Sequence, residues 1–288
     1  MSPLPVFPGP FWGKCRPAHD PLFLKGGIAV SPVRIERIGR VLRITLQQPE
    51  SMNCMTAALC GALLDAVEAA ERDGDVRAVI LTGSGRAFCA GGDLRTISSF
   101  TDPAAARAYV HEAGQAAAAI FHGEKPYIAA VNGAAAGAGF NLALACDFIL
   151  AAENAKFTQA FSSVGLVSDC GGCWLLPRAV GPQKARELMM LPVALTAGEA
   201  QALGFVTRVV PPEALADAAL EFAEALTARP PLAVAACKRM LNREAGRSFD
   251  ETRALEEALQ GRLAVGHDAR EGIAAFFEKR EAVFTGES

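Results

Sequence analysis

Phe88-Cys89-Ala90-Gly91-Gly92-Asp93-Leu94, read together with Asn132-Gly133-Ala134-Ala135-Ala136-Gly137-Ala138-Gly139, decides how this chain folds. Each stretch follows a short apolar strand, Ala78-Val79-Ile80-Leu81 in one case and Ile128-Ala129-Ala130-Val131 in the other, and each leads toward a helix-like sequence. Side chains are pared away at both turns, which lets backbone N–H groups approach a ligand closely. Two such donors converging on one oxygen make an oxyanion hole, which stabilises charge developing on a carbonyl. The pattern points to thioester or acyl chemistry.

Outward from these turns, strands and helices alternate. Val33 to Arg37 and Val41 to Leu46 read as two strands joined near Gly39. Thr56 caps an amphipathic helix that turns Leu59, Leu63, Leu64 and Val67 inward and ends at Gly74. Asp102-Pro103 opens another helix, with Asp as cap and Pro in the first helical position. Phe140 to Cys146 is a short, almost wholly apolar helix that must be buried. Asp147 to Ala151 and Lys156 to Thr158 continue as strands, followed by a loop over Val164 to Gly172 and a helix after Pro182. Thr196 and Glu199 form a capping box for a helix that stops at Gly204, and Phe205 to Val210 is a last strand closed by Pro211-Pro212. Beyond it everything is helical in pattern, with capping-box spacing at Ser248/Glu251 and at Asp268/Glu271. The expected organisation is an N-terminal extension over residues 1–31, an α/β core over 32–228 and a helical region over 229–288.

Composition narrows the function classes. A chain of 288 residues with 51% hydrophobic content has ample material for a core, and its net charge of -3 gives no basic excess for nucleic acid. No apolar run reaches the length of about 18 residues that a membrane helix needs. Met1 to Ser31 lacks the basic-then-apolar layout of a secretory signal, so a cytoplasmic protein with reduced cysteines is expected. Cys170-Gly171-Gly172-Cys173 spells C-x-x-C without a thioredoxin-like context. His19, His111, His122 and His267 are scattered without metal-ligand spacing, and no metal site is expected. Gly137-Ala138-Gly139 hints at a dinucleotide fingerprint, but Leu142 stands where the third glycine belongs.

Several motifs in order, Gln48-Pro49-Glu50-Ser51-Met52-Asn53, Val76 to Gly83, Phe88 to Leu94, Val131-Asn132-Gly133, Ala155-Lys156-Phe157 and Glu278-Lys279-Arg280, resemble the enoyl-CoA hydratase/isomerase (crotonase) superfamily from about residue 33 onward. The resemblance implies an α/β, crotonase-like spiral of ββα units with a helical C-terminal trimerisation region. It also implies an acyl-CoA thioester substrate in fatty acid or phenylacetate metabolism, no cofactor beyond the coenzyme A that the substrate brings, and a homotrimer or homohexamer. Carried over residue by residue, the oxyanion donors fall on the backbone N–H groups of Gly92 and Ala138. CoA contacts fall near Met52, Ala90 and Leu94, while Phe276 and Lys279 match a pair that reaches the CoA of an adjacent subunit in relatives.

This chain departs from the hydratase pattern at both glutamates. Asn141 stands at the first position and Phe161 at the second. Adding water to an enoyl thioester needs carboxylates that hold the water, take one proton and deliver another, which an amide and a phenyl ring cannot do. Gly165 to Arg178 resembles the loop of phenylacetate-pathway isomerases acting on ring-epoxide, oxepin and 3-enoyl CoA thioesters, and it carries Asp169. Shifting a double bond needs only one base that returns the proton it took. An apolar Phe161 beside Asp169 would exclude water and raise the carboxyl pKa.

Other readings stand beside this one. Asp169 reads alternatively as a turn residue capping the helix after Gly172, a reading that the absence of both glutamates outweighs. Asn141 reads also as a buried hydrogen-bonding residue, and Asp93 and Asp147 read as structural carboxylates that accept backbone N–H bonds. A hydratase working through Asp169 and a crotonase-like protein that binds acyl-CoA with little turnover are the functional alternatives.

Overall fold

In the computed structural model, residues 31–243 and 247–287 are described, so the expected extension over residues 1–31 lies almost wholly outside the described residues. The chain opens with an antiparallel pair, β1 (Val33–Ile38) and β2 (Val41–Leu46), turning at Gly39 as expected. Three similar turns of chain follow. Each contributes a strand to one sheet, then a short turn, glycine-containing in the first two, then a shorter strand to a second sheet, and then helix. The first turn is β3 (Ala78–Gly83), β4 (Ala87–Cys89), α2 (Leu94–Ser98) and α3 (Pro103–His122). The second is β5 (Tyr127–Val131), β6 (Ala134–Ala136) and α4 (Ala138–Ala145). The third is β7 (Phe148–Ala152), β8 (Lys156–Thr158), α5 (Gly172–Val180) and α6 (Pro182–Met190). Before them, α1 (Ala57–Arg72) joins β2 to β3, and after them β9 (Leu195–Thr196), α7 (Ala197–Ala202) and β10 (Arg208–Val210) close the sheets.

The larger sheet runs β1-β2-β3-β5-β7-β10, parallel from β2 onward, and the smaller runs β4-β6-β8-β9. Parallel strands with both faces covered read as continuous apolar runs, which is why β3, β5 and β7 lack strict alternation. Their side chains divide between two clusters. Val79, Leu81, Ala129, Val131, Ile149 and Ala151 join a large core with α1, α3 and α4, whereas Ala78, Ile80, Ile128, Ala130 and Leu150 face α8 (Leu215–Thr227). Helix α4 sits at the centre of the larger cluster with every residue but Leu144 buried, as its uniform apolar sequence demands.

Three helices follow: α9 (Pro231–Arg243), α10 (Phe249–Ala264) and α11 (His267–Glu278). Residues 31–288 form one compact unit. Ser248 and Glu251 make the expected capping box on α10, and Thr196 and Glu199 make one on α7. Asp268 and Glu271 do not. Gly266 caps α11 without a side chain, and the Asp268 carboxylate instead accepts from Thr285 N (2.9 Å) and Gly286 N (3.0 Å), holding the tail against the helix. Several boundaries also move, among them those of α4, which opens at Ala138, and of β7, which runs one residue later than expected. Asp73, whose N–H bonds to Ala69 O, ends α1 one residue before Gly74, and the last strand is confined to Arg208–Val210, the residues that pair with Leu150 to Ala152 of β7, with Phe205 and Val206 buried in the approach to it. No helix among the described residues is long and apolar enough to cross a membrane.

Candidate active site

The two glycine turns are held by two asparagines. Asn53 Nδ2 donates to Ser84 O, Ala87 O and Phe88 O, and Asn132 receives Gly83 N while donating to Gly85 O (3.0 Å). The turns then touch. Gly91 has φ of 91°, and a β-carbon there would lie 2.6 Å from Ala136 O and 3.2 Å from Ala138 N. A β-carbon on Gly139 would lie 2.2 Å from Cys89 O, so the first turn of α4 packs directly on β4. Gly92 N and Ala138 N thus occupy adjoining turns, and neither donates a backbone hydrogen bond within the described residues. Ala138 opens α4, where an amide has no intrahelical acceptor and the helix contributes partial positive charge.

Tyr109 fixes the turn at Gly92. From α3 its hydroxyl donates to Met55 O (2.8 Å) and accepts from Asp93 N (2.9 Å), while Met55 N donates to Gly91 O (2.8 Å). Burial pushes the Tyr109 phenol up to about 12, so it stays a neutral donor. Asp93 is structural, as read from sequence: its carboxylate caps α2 through Arg95 N and the Thr96 hydroxyl. Asp147 is structural too, accepting Tyr127 N (2.8 Å) and pairing with Lys238 (2.8 Å).

Asp169 lies on the loop between a 3-10 turn at Ala160–Val164 and α5. It is not the cap of α5: Gly171 occupies that position without a side-chain bond. The main-chain carbonyl of Asp169 accepts from Gly172 N (2.8 Å) and from Asn141 Nδ2 (2.9 Å), which seats the loop on α4. The carboxyl is left over. Its Oδ1 is shut off from solvent and has no hydrogen-bond partner within the described residues. Burial pushes the Asp169 pKa above the ordinary aspartate range, opposed in part by the neighbouring Cys170 thiol. Phe161 lies over the first turn of α4, its Cζ 3.5 Å from where a β-carbon on Gly137 would stand. Its carbonyl accepts from Leu166 N (3.0 Å) and so anchors the start of the Asp169 loop.

Asn141 is fully buried and fully used. Its Nδ2 donates to Ser168 Oγ (3.0 Å) as well as to Asp169 O, and its Oδ1 accepts from Gln159 Nε2 (2.7 Å). Among the residues expected to meet CoA, Met52, at φ of 55°, accepts Ala90 N through its carbonyl (3.0 Å), and Leu94 is about half exposed at the start of α2. These three gather on the Gly91-Gly92 turn. Phe276 and Lys279 do not join them within one chain: both are exposed on or just past α11, and no hydrogen bond or ring contact links either to Gly92, Ala138 or Asp169.

Three residues in this arrangement escaped the sequence reading. Tyr109, Gln159 and Ser168 act through partners distant in sequence, and each sits in a segment that reads as core or loop. Two open clefts of about 210 and 190 Å³ lie elsewhere, lined by Arg77, Lys125 and Pro231 in one and by Pro230, Leu263 and Asp268 in the other. Neither is lined by the turn residues. The turns bring two unused amides beside one another, and a loop seated on α4 carries a carboxyl with one solvent-shielded oxygen; a pair of donors for an acyl oxygen and a proton-transfer group are the equipment for making and protonating an enolate.

Fold and sequence define the class. The enoyl-CoA hydratase/isomerase family matches residues 36–287, and the chain belongs to that family, with its crotonase-like fold. Among relatives, it is 38% identical over 253 residues to 1,2-epoxyphenylacetyl-CoA isomerase of Escherichia coli K12, covering 85% of this chain and 95% of that protein. It is 41% identical over 248 residues to a protein of Rhodobacter capsulatus named "Probable enoyl-CoA hydratase", covering 84% and 93%. The crystal structure of an enoyl-CoA hydratase from Polaromonas sp. JS666 superimposes with a TM-score of 0.85 at 36% identity, covering 88% of this chain and 99% of that one.

Proposed function

We propose that this member of the family is an enoyl-CoA isomerase that shifts a double bond with Asp169 as its only acid/base. The observation that carries this reading is the Asp169 carboxyl itself: partly buried, without a capping role and with one oxygen shut off from solvent and unpartnered, while Asn141 and Phe161 stand where the resemblance places the two hydratase glutamates. The thioester oxygen accepts from Gly92 N and Ala138 N. With that oxygen held, the Asp169 carboxylate takes a proton from C2 of a 3-enoyl thioester, and the electron pair spreads over a dienolate whose negative end rests on the two amides and the α4 terminus. The protonated Asp169 then returns the same proton to C4, giving the 2-enoyl thioester with no net uptake of water.

Similarity to an isomerase acting on a ring-derived CoA thioester supports the same reading. Met52, Ala90 and Leu94 are assigned to the CoA moiety, Phe161 to the dry wall of the acyl site, and Phe276 and Lys279 to the CoA of a neighbouring subunit in a trimer or hexamer. Coenzyme A arrives with the substrate, and no separate cofactor takes part in these steps.

The test is incubation with 2-enoyl, 3-enoyl and ring-derived CoA thioesters in deuterated water with mass analysis of the products. The expected result is isomerised product in which proton return limits deuterium uptake. Conversion of crotonyl-CoA to its 3-hydroxy product at a rate equal to or above the 3-enoyl shift would overturn the assignment. Asp169→Asn is expected to lower turnover by about 10²-fold or more while leaving thioester affinity nearly intact. Wild-type turnover in that variant would remove Asp169 from the chemistry.

A further inference from the structure

We infer that Asn141 is a positioning residue that sets the Asp169 carboxyl against the oxyanion amides, and that its amide makes the single-carboxylate site possible. The inference rests on the reading of Asp169 as the acid/base. Asn141 stands three residues after Ala138 on α4, so the residue that fixes the loop and the amide that receives the thioester oxygen belong to one short rigid element. Its Nδ2 spends both protons on the loop, one on Ser168 Oγ (3.0 Å) and one on Asp169 O (2.9 Å). An amide is needed for this, since it offers two donors and an acceptor from one planar group.

The orientation of that group is itself determined. Gln159 Nε2 donates to Asn141 Oδ1 (2.7 Å), so a flipped amide would set two donors against each other and turn a carbonyl toward Asp169 O. Gln159 and Asn141 are 1% and 0% exposed, which leaves no water to replace a lost partner. Ser168 closes the set, its hydroxyl lying 3.5 Å from Gln159 Oε1. An ionised carboxylate at position 141 has acceptors only. It could still accept from Gln159 and from the Ser168 hydroxyl, but it would face the carbonyl oxygen of Asp169 with no proton to offer, and that end of the loop would lift from α4. Carboxylates at positions 141 and 169 therefore compete for one arrangement of the loop, and the pairing of Asn141 with Asp169 is a single functional choice.

The experiment is a double-mutant cycle on the 3-enoyl shift, using Asn141→Asp in the wild-type and Asp169→Asn backgrounds, with kcat and KM followed across pH. In the wild-type background kcat should fall by about 10-fold to 10²-fold with KM changed less than about threefold. The deficit should deepen as pH rises, because the introduced carboxyl keeps one donor while protonated and loses it on ionisation. In the Asp169→Asn background the same substitution should leave residual turnover unchanged. Equal losses in both backgrounds, or no loss in either, would overturn the positioning role. Full activity of Asp169→Asn alone would instead overturn the reading it rests on. Should Asn141→Asp fail to fold, Ser168→Ala on the partly exposed loop replaces it, with a threefold to tenfold loss of kcat expected in the wild-type background only, and the same two patterns would overturn the proposal.

Discussion

Asp169 is held in a state that folding alone would not select. A carboxyl with one oxygen closed off from solvent and unpartnered is disfavoured when ionised, and burial raises its pKa accordingly. The unfolded chain carries an ordinary aspartate near about 3.9, so folding weakens the ionised form. Below that value both states are protonated and nothing is lost; as pH rises through the raised folded value, the stability contribution disappears and the native state carries the full penalty. Asp169→Asn is therefore expected to be more stable than wild type at neutral pH, with the difference shrinking as pH falls toward 4, as read by urea melts at several pH values. A variant less stable than wild type throughout would show that the carboxyl is satisfied in solution. If Asp169 is the base proposed above, activity runs the other way, because a base must be ionised: the acidic limb of kcat/KM should sit above the ordinary aspartate range. The residues of this site were legible in unequal measure. Gly92, Ala138, Phe161 and Asp169 stand in local patterns that a sequence displays. Tyr109 reaches Met55 across 54 positions and Gln159 reaches Asn141 across 18, so nothing in the neighbourhood of either announces its partner.

At the level of elements, the join between the sheet core and the C-terminal helices rests on a buried cation. Lys238 of α9 donates to Asp147 Oδ2 and to Lys125 O, each at 2.8 Å, and lies 4.9 Å from the centre of the Tyr127 ring. The lysine side chain is 4% exposed and the aspartate 16%. Removing one partner strands the other: Lys238→Met should cost about 3–5 kcal/mol in a denaturant melt. Adding Asp147→Asn should recover part of that loss, because the amide still accepts Tyr127 N without a buried charge. A single variant within 1 kcal/mol of wild type, a threshold at about the value of an exposed pair, would mean that α9 is held by packing alone. The sequence showed Asp147 as a structural carboxylate and α9 as helix but not their bond, since the two lie 91 positions apart. Element types were legible wherever apolar periodicity was strong, as in α1 and α3. The three-residue strands β4, β6 and β8 and the two-residue β9 make up the second sheet, and only β8 stood out, because strands that short carry no period.

Across the molecule, the apolar surface is unevenly covered. Phe249, Ile273, Phe276 and Phe277 on α10 and α11 are 80%, 58%, 78% and 77% exposed, an aromatic face that a lone surface seldom shows to water. In the assembly proposed above, packing through these helices would cover it and bring Lys279 to a neighbour's CoA. Sedimentation should give a trimer or hexamer, and Lys279→Ala should weaken CoA thioester binding by a margin that shrinks as salt is raised, as for a screened charge near phosphate. A stable monomer with unchanged affinity in Lys279→Ala would leave α11 as a cover for its own chain.

The burial of the thiols gives the native protein a built-in record of its openings. Cys173 and Cys237 are exposed, whereas Cys60, Cys89, Cys146 and Cys170 are buried in α1, β4, the end of α4 and the Asp169 loop. Burial pushes the Cys60 and Cys89 thiols up to about 12, so an alkylating reagent that consumes thiolate reaches them only when their element opens. Each buried cysteine thus reports on a different part of the site. Label that accumulates at Cys170 faster than at Cys89 would time the lifting of the loop while the neighbouring turn stays shut, a measure of how freely the proposed base moves beside the proposed oxyanion amides.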